Sequence, residues 1–314
     1  MQDRHVTATL AVGNPMASKP KLKGHAPELI KPRKPKILIY GSSGVGKTWA
    51  ALDFPDVYMI DVEGGATQPE YRQKLAASGG LYLGPDDGAA SFDEVMGQIR
   101  ALSSEAHDRK TLVIDSITKL FANEIAREAE RLSDAGKKNE FGADKRPAVS
   151  YMRSMVSWLI KLDMTVILVA GEVAEWGRDS SGERTQIGNT FDCWPRLEYE
   201  LDAAFNITRE GASRVARVRK SRLAAFPQGS RFQWGYQSFA DQYGVDVIEA
   251  QSVPLELATE EQLAEIERLL GVVRLDEGTV DKWLAAADVS TWAEMPTDRV
   301  AKAITHLKTL IQGA

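Results

Sequence analysis

Four short apolar runs, separated by segments of helical periodicity, constrain the fold of this 314-residue chain more than any other feature. The runs are KILIY (36–40), VYMID (57–61), TLVID (111–115) and TVILVAG (165–171). Between them, apolar residues recur at helical spacing in 91–102, 117–132 and 150–162. Near-continuous apolar strands that alternate with helices are typical of a mostly parallel sheet covered on both faces. The sequence therefore predicts an α/β fold.

The pattern changes after Glu198 to an alternation of apolar and polar residues. The alternating stretches are 197–208, 214–220 and 231–236. Alternation of this period is typical of strands with one solvated face. We therefore expect antiparallel strands that extend the parallel sheet.

Composition divides the chain into three predicted parts. Residues 1–35 form a basic, flexible arm, in which 6–12 has the pattern of an edge strand. This arm is interpreted as a solubilising leader, or as a segment that touches phosphates or a neighbouring subunit. Residues 36–253 form the α/β core and 254–314 a small helical module. Thr259 and Gln262 match a capping box at the start of that module's first helix.

The formal net charge of −5 is distributed unevenly. Residues 1–36 hold eight Lys/Arg and two Asp/Glu, whereas residues 255–314 hold six Lys/Arg and eleven Asp/Glu. A second basic cluster, 209–222, holds six Lys/Arg and one acidic residue. The total argues against a uniformly basic nucleic-acid binder, but it leaves room for local basic surfaces.

A single cysteine, Cys193, excludes an internal disulfide framework and a cysteine-rich zinc module, and favours a reducing compartment. No run approaches the roughly 20 apolar residues of a membrane helix. The first residues, MQDRHVTATL, also lack the pattern of a signal peptide. We therefore expect a soluble cytoplasmic protein with no membrane partner.

A glycine-rich motif follows the first apolar run directly. It matches G-x-x-x-x-G-K-[ST] in the order Gly41, Ser42, Ser43, Gly44, Val45, Gly46, Lys47 and Thr48. In this pattern backbone N–H groups surround phosphate oxygens, the lysine reaches the β- and γ-phosphates, and the threonine hydroxyl binds Mg²⁺. A glycine-rich turn with a solvated lysine is the alternative. The strand before the motif and the helix-compatible segment after it favour a site for ATP and Mg²⁺.

Asp115 ends the apolar run at 111–115. In proteins with this phosphate loop, a carboxylate at the end of such a strand holds Mg²⁺ through water. The alternative is a helix cap for the segment that begins at Ile117. Together with the motif at 41–48, the magnesium role is favoured.

These residues resemble the RecA-type ATPases, and among them the phage Sak-type single-strand annealing and recombination proteins. The resemblance covers about residues 36–236 and implies a RecA-like core. Glu63 follows the second apolar run, where the family has the glutamate that activates the attacking water. A surface carboxylate in a glycine-rich loop is the alternative for Glu63.

The segment RVARVRKSRLAAFP (214–227) resembles the family segment whose two cations reach the neighbouring subunit's ATP. Lys220 and Arg222 fall on those two positions. Cations supplied in this way stabilise the charge that develops during phosphoryl transfer, so the resemblance gives both residues a catalytic role. A solvated basic ribbon, or a direct nucleic-acid patch, is the competing interpretation.

The resemblance also implies two DNA-contacting loops, one at 133–147 and one after the strand at 165–171. Cations and aromatic platforms are the groups that bind single strands. The candidates are Lys137, Lys138, Phe141, Lys145, Arg146, Trp176, Arg178 and Arg184. Residues 175–192 hold two Arg and four acidic residues, so contact there would depend on backbone N–H groups and Trp176.

The resemblance implies an ATPase that binds single-stranded DNA, with ATP between the protomers of a filament or ring, in the bacterial host cytoplasm if phage-encoded. A single-strand-binding protein is a further implied partner. This chain departs from many relatives by having Gly171 and Glu172 where they carry a Gln or His sensor. The alternatives are a nucleotide-dependent interaction module with little hydrolysis, and a helicase loader or packaging motor.

Overall fold

The structure of the chain is a computed structural model that describes residues 26, 32–140, 142–287 and 289–312. The chain divides into two units, residues 1–32 and 33–314. The second unit contains the whole of the predicted core and of the predicted helical module. The predicted edge strand at 6–12 lies outside the described residues.

Ten strands are found in the described part of the second unit. They are β1 (Lys36–Tyr40), β2 (Val57–Asp61), β3 (Leu81–Leu83), β4 (Thr111–Asp115), β5 (Thr165–Ala170), β6 (Glu172–Arg178), β7 (Arg184–Phe191), β8 (Ala203–Glu210), β9 (Ser213–Ser221) and β10 (Arg231–Gln233). Eight of them form one sheet in the order β10-β9-β8-β1-β5-β4-β2-β3, and β6 pairs with β7. The strands from β8 to β3 are parallel, whereas β9 and β10 pair antiparallel.

The helices between these strands cover both faces of the sheet. In the core they are α1 (Lys47–Ala51), α2 (Pro69–Ala77), α3 (Phe92–Ser104), α4 (Ile117–Asp134), α5 (Lys145–Lys161), α6 (Leu197–Glu200), α7 (Tyr236–Tyr243) and α8 (Val245–Glu249). The remaining helices are α9 (Glu260–Val272), α10 (Thr279–Ala286) and α11 (Thr297–Gln312). The predicted class is confirmed: an α/β fold with a mostly parallel sheet, antiparallel extensions and C-terminal helices.

The strand sequence explains why both faces of the sheet are covered. Alternate residues of a strand point to opposite faces, so Ile37 and Ile39 join one apolar cluster while Leu38 and Tyr40 join the other. All four side chains are buried. A strand with apolar residues on both faces is buried between two layers of helices, as the sequence predicted.

The C-terminal helices pack on the core side that holds α3 and α5. Ile266 of α9 and Val300 of α11 belong to the same apolar cluster as Trp158 of α5. The Lys161 ammonium donates to the carbonyl oxygen of Ala287 at 2.8 Å. The predicted boundary between residues 253 and 254 stays a prediction.

The predicted capping box at Thr259 is confirmed. The Thr259 hydroxyl accepts from the Gln262 N–H at 3.2 Å, and the Gln262 side-chain oxygen accepts from the Thr259 N–H at 3.1 Å. These two bonds satisfy donors that the first turn of α9 leaves without helical partners.

Two local expectations were wrong. The alternating segment that begins at 197 starts with the short helix α6, and its strand begins only at Ala203. That strand, β8, runs parallel to β1 rather than antiparallel as expected. The stretch after β5 is a β-hairpin, β6–β7, rather than an irregular loop. Its pairing runs from Glu172 with Phe191 to Arg178 with Arg184, with an irregularity after Glu175. Main-chain hydrogen bonds satisfy this polar segment without burying it, and composition alone does not reveal that.

A search of the described helices found none that is both long enough and apolar enough to span a bilayer.

Candidate functional site: a phosphate loop at the carboxyl ends of the strands

The phosphate loop, residues 41–48, connects the end of β1 to the first turn of α1. Two of its glycines are required by the backbone. A Cβ at Gly41 would lie 2.2 Å from the carbonyl oxygen of Ile207 in β8, too close for any side chain. Gly46 has φ +86°, in the left-handed region that favours glycine, and forms the N-cap of α1. The loop therefore turns sharply against β8 before α1 begins.

Lys47 directs its ammonium back over this loop. Its Nζ donates to the carbonyl oxygens of Gly41 at 2.8 Å and Ser42 at 2.9 Å. Burial lowers the pKa of Lys47, and the carboxylates of Asp115, Glu172 and Glu63 act against that shift. The cation thus lies among loop carbonyls that a bound phosphate would displace as its partners.

Thr48 and Asp115 are in direct contact. The Thr48 hydroxyl donates to Oδ2 of Asp115, across the top of β5, the strand that separates β1 from β4. Burial raises the pKa of Asp115 to about 6, and the nearby carboxylates of Glu63 and Asp61 add to the rise. The two predicted magnesium ligands are therefore adjacent.

The residues present fit Mg²⁺. No group of three or more His, Cys, Asp or Glu side chains capable of holding a metal occurs in the part of the chain that the structure describes. Mg²⁺ in phosphate sites needs only one or two protein oxygens, because phosphates and water supply the rest. The hydroxyl of Thr48 and the carboxylate of Asp115 provide two hard oxygen donors beside the loop.

Glu63 is held in a turn built around the buried carboxylate of Asp61. This carboxylate accepts four hydrogen bonds at 2.8–3.2 Å, from the N–H groups of Gly64, Gly65 and Ala66 and from the Tyr82 hydroxyl. Burial and the Asp61 carboxylate raise the pKa of Tyr82 to about 12. The Ser116 hydroxyl donates to Oε1 of Glu63. The predicted water-activating carboxylate of Glu63 is thus positioned by Asp61 at the end of β2 and by Ser116 just after β4.

These groups share one cavity of about 650 Å³. Its lining includes the loop, Asp61, Glu63, Tyr71, Asp115, Ser116 and Glu172. The sequence interpretation assigned Glu63, Lys47, Thr48 and Asp115 to this site, and the structure brings them together. It did not select Asp61 or Tyr71. Asp61 carries the same signal as Asp115, an acid at the end of an apolar strand, whereas nothing in the helical segment around Tyr71 marks that residue.

Lys220 and Arg222 lie away from this cavity. Lys220 pairs with Ala204 of β8, which pairs with Leu38 of β1, and Arg222 follows the end of β9. The Lys220 ammonium donates to the Leu201 carbonyl oxygen, and Arg222 donates to that of Tyr199. Because β9 runs antiparallel to β8, both cations lie toward the amino ends of the parallel strands. Within one chain, the structure does not bring them to the phosphate loop.

The β6–β7 hairpin groups three of the predicted DNA-binding residues. The Trp176 side chain is 53% exposed, and the Arg184 guanidinium lies 4.8 Å from its ring centroid. Arg178 pairs with Arg184 across the hairpin and donates to the Gly182 carbonyl oxygen at 2.7 Å. A solvent-facing aromatic ring with two arginines therefore projects from this hairpin.

The remaining candidates surround the α4–α5 connection. Lys137 and Lys138 are exposed in the loop after α4, where Lys138 lies 3.9 Å from Glu140. The predicted loop at 133–147 is shorter than expected, because α5 already begins at Lys145. Lys145 and Arg146 are exposed in its first turn. Phe141 lies outside the described residues.

Comparisons with solved structures give low overall similarity. A crystal structure of the RadB recombinase shares 18% identity and a TM-score of 0.39, covering 63% of this chain and 86% of that one. The flagellar accessory protein FlaH from Methanocaldococcus jannaschii shares 13% identity and a TM-score of 0.35, covering 64% of this chain and 85% of that one. A comparison with curated proteins found no match.

The family comparison covers the whole phosphate-loop site. A family model described as an AAA domain matches residues 33–230, which is more than half of the chain. This range contains the phosphate loop, Glu63, Asp115 and both cations at the end of β9. The chain therefore belongs to the AAA domain family of nucleotide-binding P-loop proteins.

Proposed function

We propose that this protein is an ATP-dependent, single-stranded-DNA-binding recombination or annealing ATPase with a RecA-like core, which assembles into a filament or ring with ATP between protomers. The observation that carries the hydrolytic part is one cavity lined by Lys47, Thr48, Glu63 and Asp115. A phosphate loop, two oxygen donors for a divalent cation and a carboxylate aimed at the same space are the parts that phosphoryl transfer to water requires.

Each residue has a defined task in this proposal. The N–H groups of the loop and the Lys47 ammonium bind the phosphate oxygens of ATP. Thr48 and Asp115 would hold Mg²⁺, which supplies charge neutralisation of the phosphates when bound. Glu63 orients the attacking water and accepts its proton, and the Ser116 hydroxyl keeps the Glu63 carboxylate turned toward the cavity.

The intersubunit part of the proposal is supported by the distance between the phosphate loop and the two cations Lys220 and Arg222 of the same chain. Arg222 lies about five residues' length from the loop along β1, since its N–H bonds to the Asp202 carbonyl oxygen and that of Asp202 to the Lys36 carbonyl oxygen. Lys220 lies level with Leu38, about three residues' length from the loop. These lengths of strand span roughly 16 Å and roughly 10 Å. Side chains at those distances reach an ATP only if it belongs to another protomer. Completion of the site by a neighbour would couple hydrolysis to assembly.

The nucleic-acid part is supported by the hairpin surface. Single-stranded nucleic acid binds to aromatic rings on which bases stack and to cations that contact phosphates. Trp176 offers such a ring, with Arg184 stacked on it and Arg178 beside it. Lys137, Lys138, Lys145 and Arg146 offer further exposed cations.

Hydrolysis is tested with the Glu63→Gln variant. We expect it to bind ATP as the wild type does and to hydrolyse it at least about 100-fold more slowly, because a general base contributes a factor of this size. Wild-type hydrolysis per subunit should rise with protein concentration, in step with the assembled fraction seen by light scattering. A flat rate per subunit from a monomer would contradict an intersubunit site. A negligible wild-type rate that Glu63→Gln leaves unchanged would favour a nucleotide-dependent interaction module.

DNA binding is tested with Trp176→Ala, using Leu81→Ala as the matched control. Leu81 lies on the edge strand β3 and is 50% exposed, close to the exposure of Trp176. We expect Trp176→Ala to weaken binding of a labelled oligothymidine by about fivefold or more, in line with the stacking energy of one base. Leu81→Ala should leave it unchanged. Failure of the wild type to bind or to be stimulated by single strands at low salt, where phosphate contacts are strongest, would contradict the DNA function.

A further inference from the structure

The ribbon formed by β8 and β9 lies directly beside the phosphate loop. The loop begins against Ile207, whose carbonyl oxygen occupies the space that a Cβ at Gly41 would need. From Ile207, β8 continues to Glu210 and β9 returns from Ser213. The tip of this ribbon therefore extends past the carboxyl end of β1, on the side where α1 begins.

Arg214, the second residue of β9, rests its side chain on Gly46. A Cβ at Gly46 would lie 2.2 Å from Nε, 2.8 Å from Nη2 and 2.9 Å from Cζ of Arg214. The guanidinium therefore fills the space that any side chain at position 46 would take. Gly46 directly precedes Lys47 and lines the cavity that holds the phosphate loop. Gly46 is thus required by its conformation, and a side chain there would also displace the Arg214 guanidinium.

One N–H donor of the Arg214 guanidinium has no acceptor among the described residues. Its Nε is fully buried and has no hydrogen-bond partner among the described residues. The indole Nε1 of Trp234 is in the same condition, and the Trp234 N–H donates to the Arg214 carbonyl oxygen at 2.8 Å. Buried donors are almost always paired, so an unpaired guanidinium nitrogen against an anion-binding loop indicates a partner that arrives with the ligand.

The negative charge of the carboxylates near the loop favours a second cation beside Lys47 when a polyphosphate binds. The carboxylates of Asp115, Glu172 and Glu63 line the same cavity as the Lys47 ammonium. Lys220 and Arg222 of the same chain bond to carbonyl oxygens toward the other end of β9. Arg214 lies on the same strand but at the end that touches the loop. It can therefore offset the negative charge of a polyphosphate without help from a neighbour.

We propose that Arg214 is a nucleotide-contacting residue whose guanidinium donates to a phosphate oxygen of the ligand bound in loop 41–48. This inference rests on the proposed nucleotide binding. The contact would attach the β8–β9–β10 ribbon to the occupied loop. Lys220 lies on β9 as well. Nucleotide binding in one chain's loop would therefore help to fix the position of the strand that presents cations to the next protomer.

The test compares Arg214→Gln with Arg209→Gln. Arg209 is the cross-strand partner of Arg214, but it is exposed and its Nε bonds to the Gly211 carbonyl oxygen at 3.2 Å. Binding of ATP and of inorganic triphosphate is measured by calorimetry at low protein concentration, with Lys47→Ala as the variant that disables the loop. We expect Arg214→Gln to raise Kd for both ligands about tenfold, as loss of a hydrogen bond to a charged group would. Arg209→Gln should change Kd less than twofold.

Three outcomes overturn the inference. One is an Arg214→Gln Kd within twofold of wild type for ATP. Another is weaker ATP binding with unchanged triphosphate binding, since the contact would then not be to phosphate. The third applies if thermal melting shows that Arg214→Gln is unfolded without ligand. Arg214→Lys is then measured instead, and a Kd of that variant equal to the wild-type Kd for both ATP and triphosphate contradicts a guanidinium contact. By contrast, wild-type protein that binds neither ligand, or Lys47→Ala that binds both normally, would overturn the nucleotide site itself.

Discussion

Both carboxylate oxygens of Glu175 accept hydrogen bonds from Arg219 at 2.7 Å, which joins the middle of the β6–β7 hairpin to β9. Arg219 also donates to Glu198 at 3.3 Å. The pair lowers the pKa of Glu175 and keeps it ionised. Since the hairpin forms its own two-stranded sheet, this contact helps to fix its orientation relative to the main sheet.

We expect Glu175→Gln to loosen the hairpin without unfolding the protein. The pair is partly exposed, so the change in the free energy of unfolding should stay below about 1 kcal/mol. Hydrogen exchange of the β6 and β7 amides should instead become faster. The control is Glu183→Gln near the hairpin tip, because Glu183 forms no ion pair within the described residues. Equal exchange rates in the two variants would contradict this role of the ion pair.

Asp61→Asn should destabilise the protein and disturb Glu63. The Asp61 carboxylate is 1% exposed and accepts four hydrogen bonds, and an amide nitrogen in its place would face donors. We expect a loss of about 3 kcal/mol in the free energy of unfolding, measured in urea. The control is Asp53→Asn, since Asp53 is 47% exposed and contacts only the Lys74 ammonium among the described cations. A loss no larger than that of the control would show that the turn does not depend on Asp61.

Ser116→Ala separates capping from positioning. The Ser116 hydroxyl accepts from the Lys119 N–H at 3.1 Å, capping α4, and donates to Glu63. Loss of the cap should reduce stability by about 1 kcal/mol. Ser91→Ala removes the corresponding cap of α3, where the hydroxyl accepts from Glu94 N–H, and leaves Glu63 untouched.

If Ser116 also orients Glu63, hydrolysis should fall about tenfold in Ser116→Ala while ATP binding is retained, and Ser91→Ala should hydrolyse normally. Rates are compared at a temperature at which both variants are folded by circular dichroism. Equal rates in the two variants would assign Ser116 to capping alone.

Cys193 should resist alkylation in the folded protein. Burial raises the pKa of the Cys193 thiol to about 12. Its folded pKa lies above the ordinary value of 9.0, so the thiol contributes stability below pH 9 that is lost as the pH rises toward 12. At pH 9, iodoacetamide should therefore react much more slowly with native than with urea-unfolded protein, because the thiolate is the nucleophile. Comparable rates, followed by mass spectrometry, would contradict a raised pKa.

Much of the core could be predicted from local pattern. The strands at 36–40, 57–61 and 111–115 have the predicted bounds, because an apolar run between turn signals needs no distant information. The phosphate loop and the capping box at Thr259 are likewise local, since each depends on residues within one turn of one another. Asp115 was selected because it ends such a run in a chain with a phosphate loop, whereas Glu63 was selected because the family resemblance implies a glutamate after the second run.

The hairpin and α6 show where local pattern is insufficient. Residues 172–191 are polar and rich in turn formers, and their strands are stabilised by pairing with each other rather than by burial. The segment at 197–200 alternates like a strand yet forms a short helix that buries Leu197. In both cases the surroundings decide which of two compatible local structures is formed.

The sequence by itself determined the α/β class, the strand that leads into the phosphate loop and the residues of that loop, because these depend on short-range periodicity and a contiguous motif. Only the tertiary structure decided that Asp61 organises the Glu63 turn, that Lys220 and Arg222 lie away from their own loop, and that Arg214 rests on Gly46. Those relationships depend on strand order and direction, which bring together residues far apart in the chain. No local pattern encodes that order, since it is set by the packing of the whole sheet.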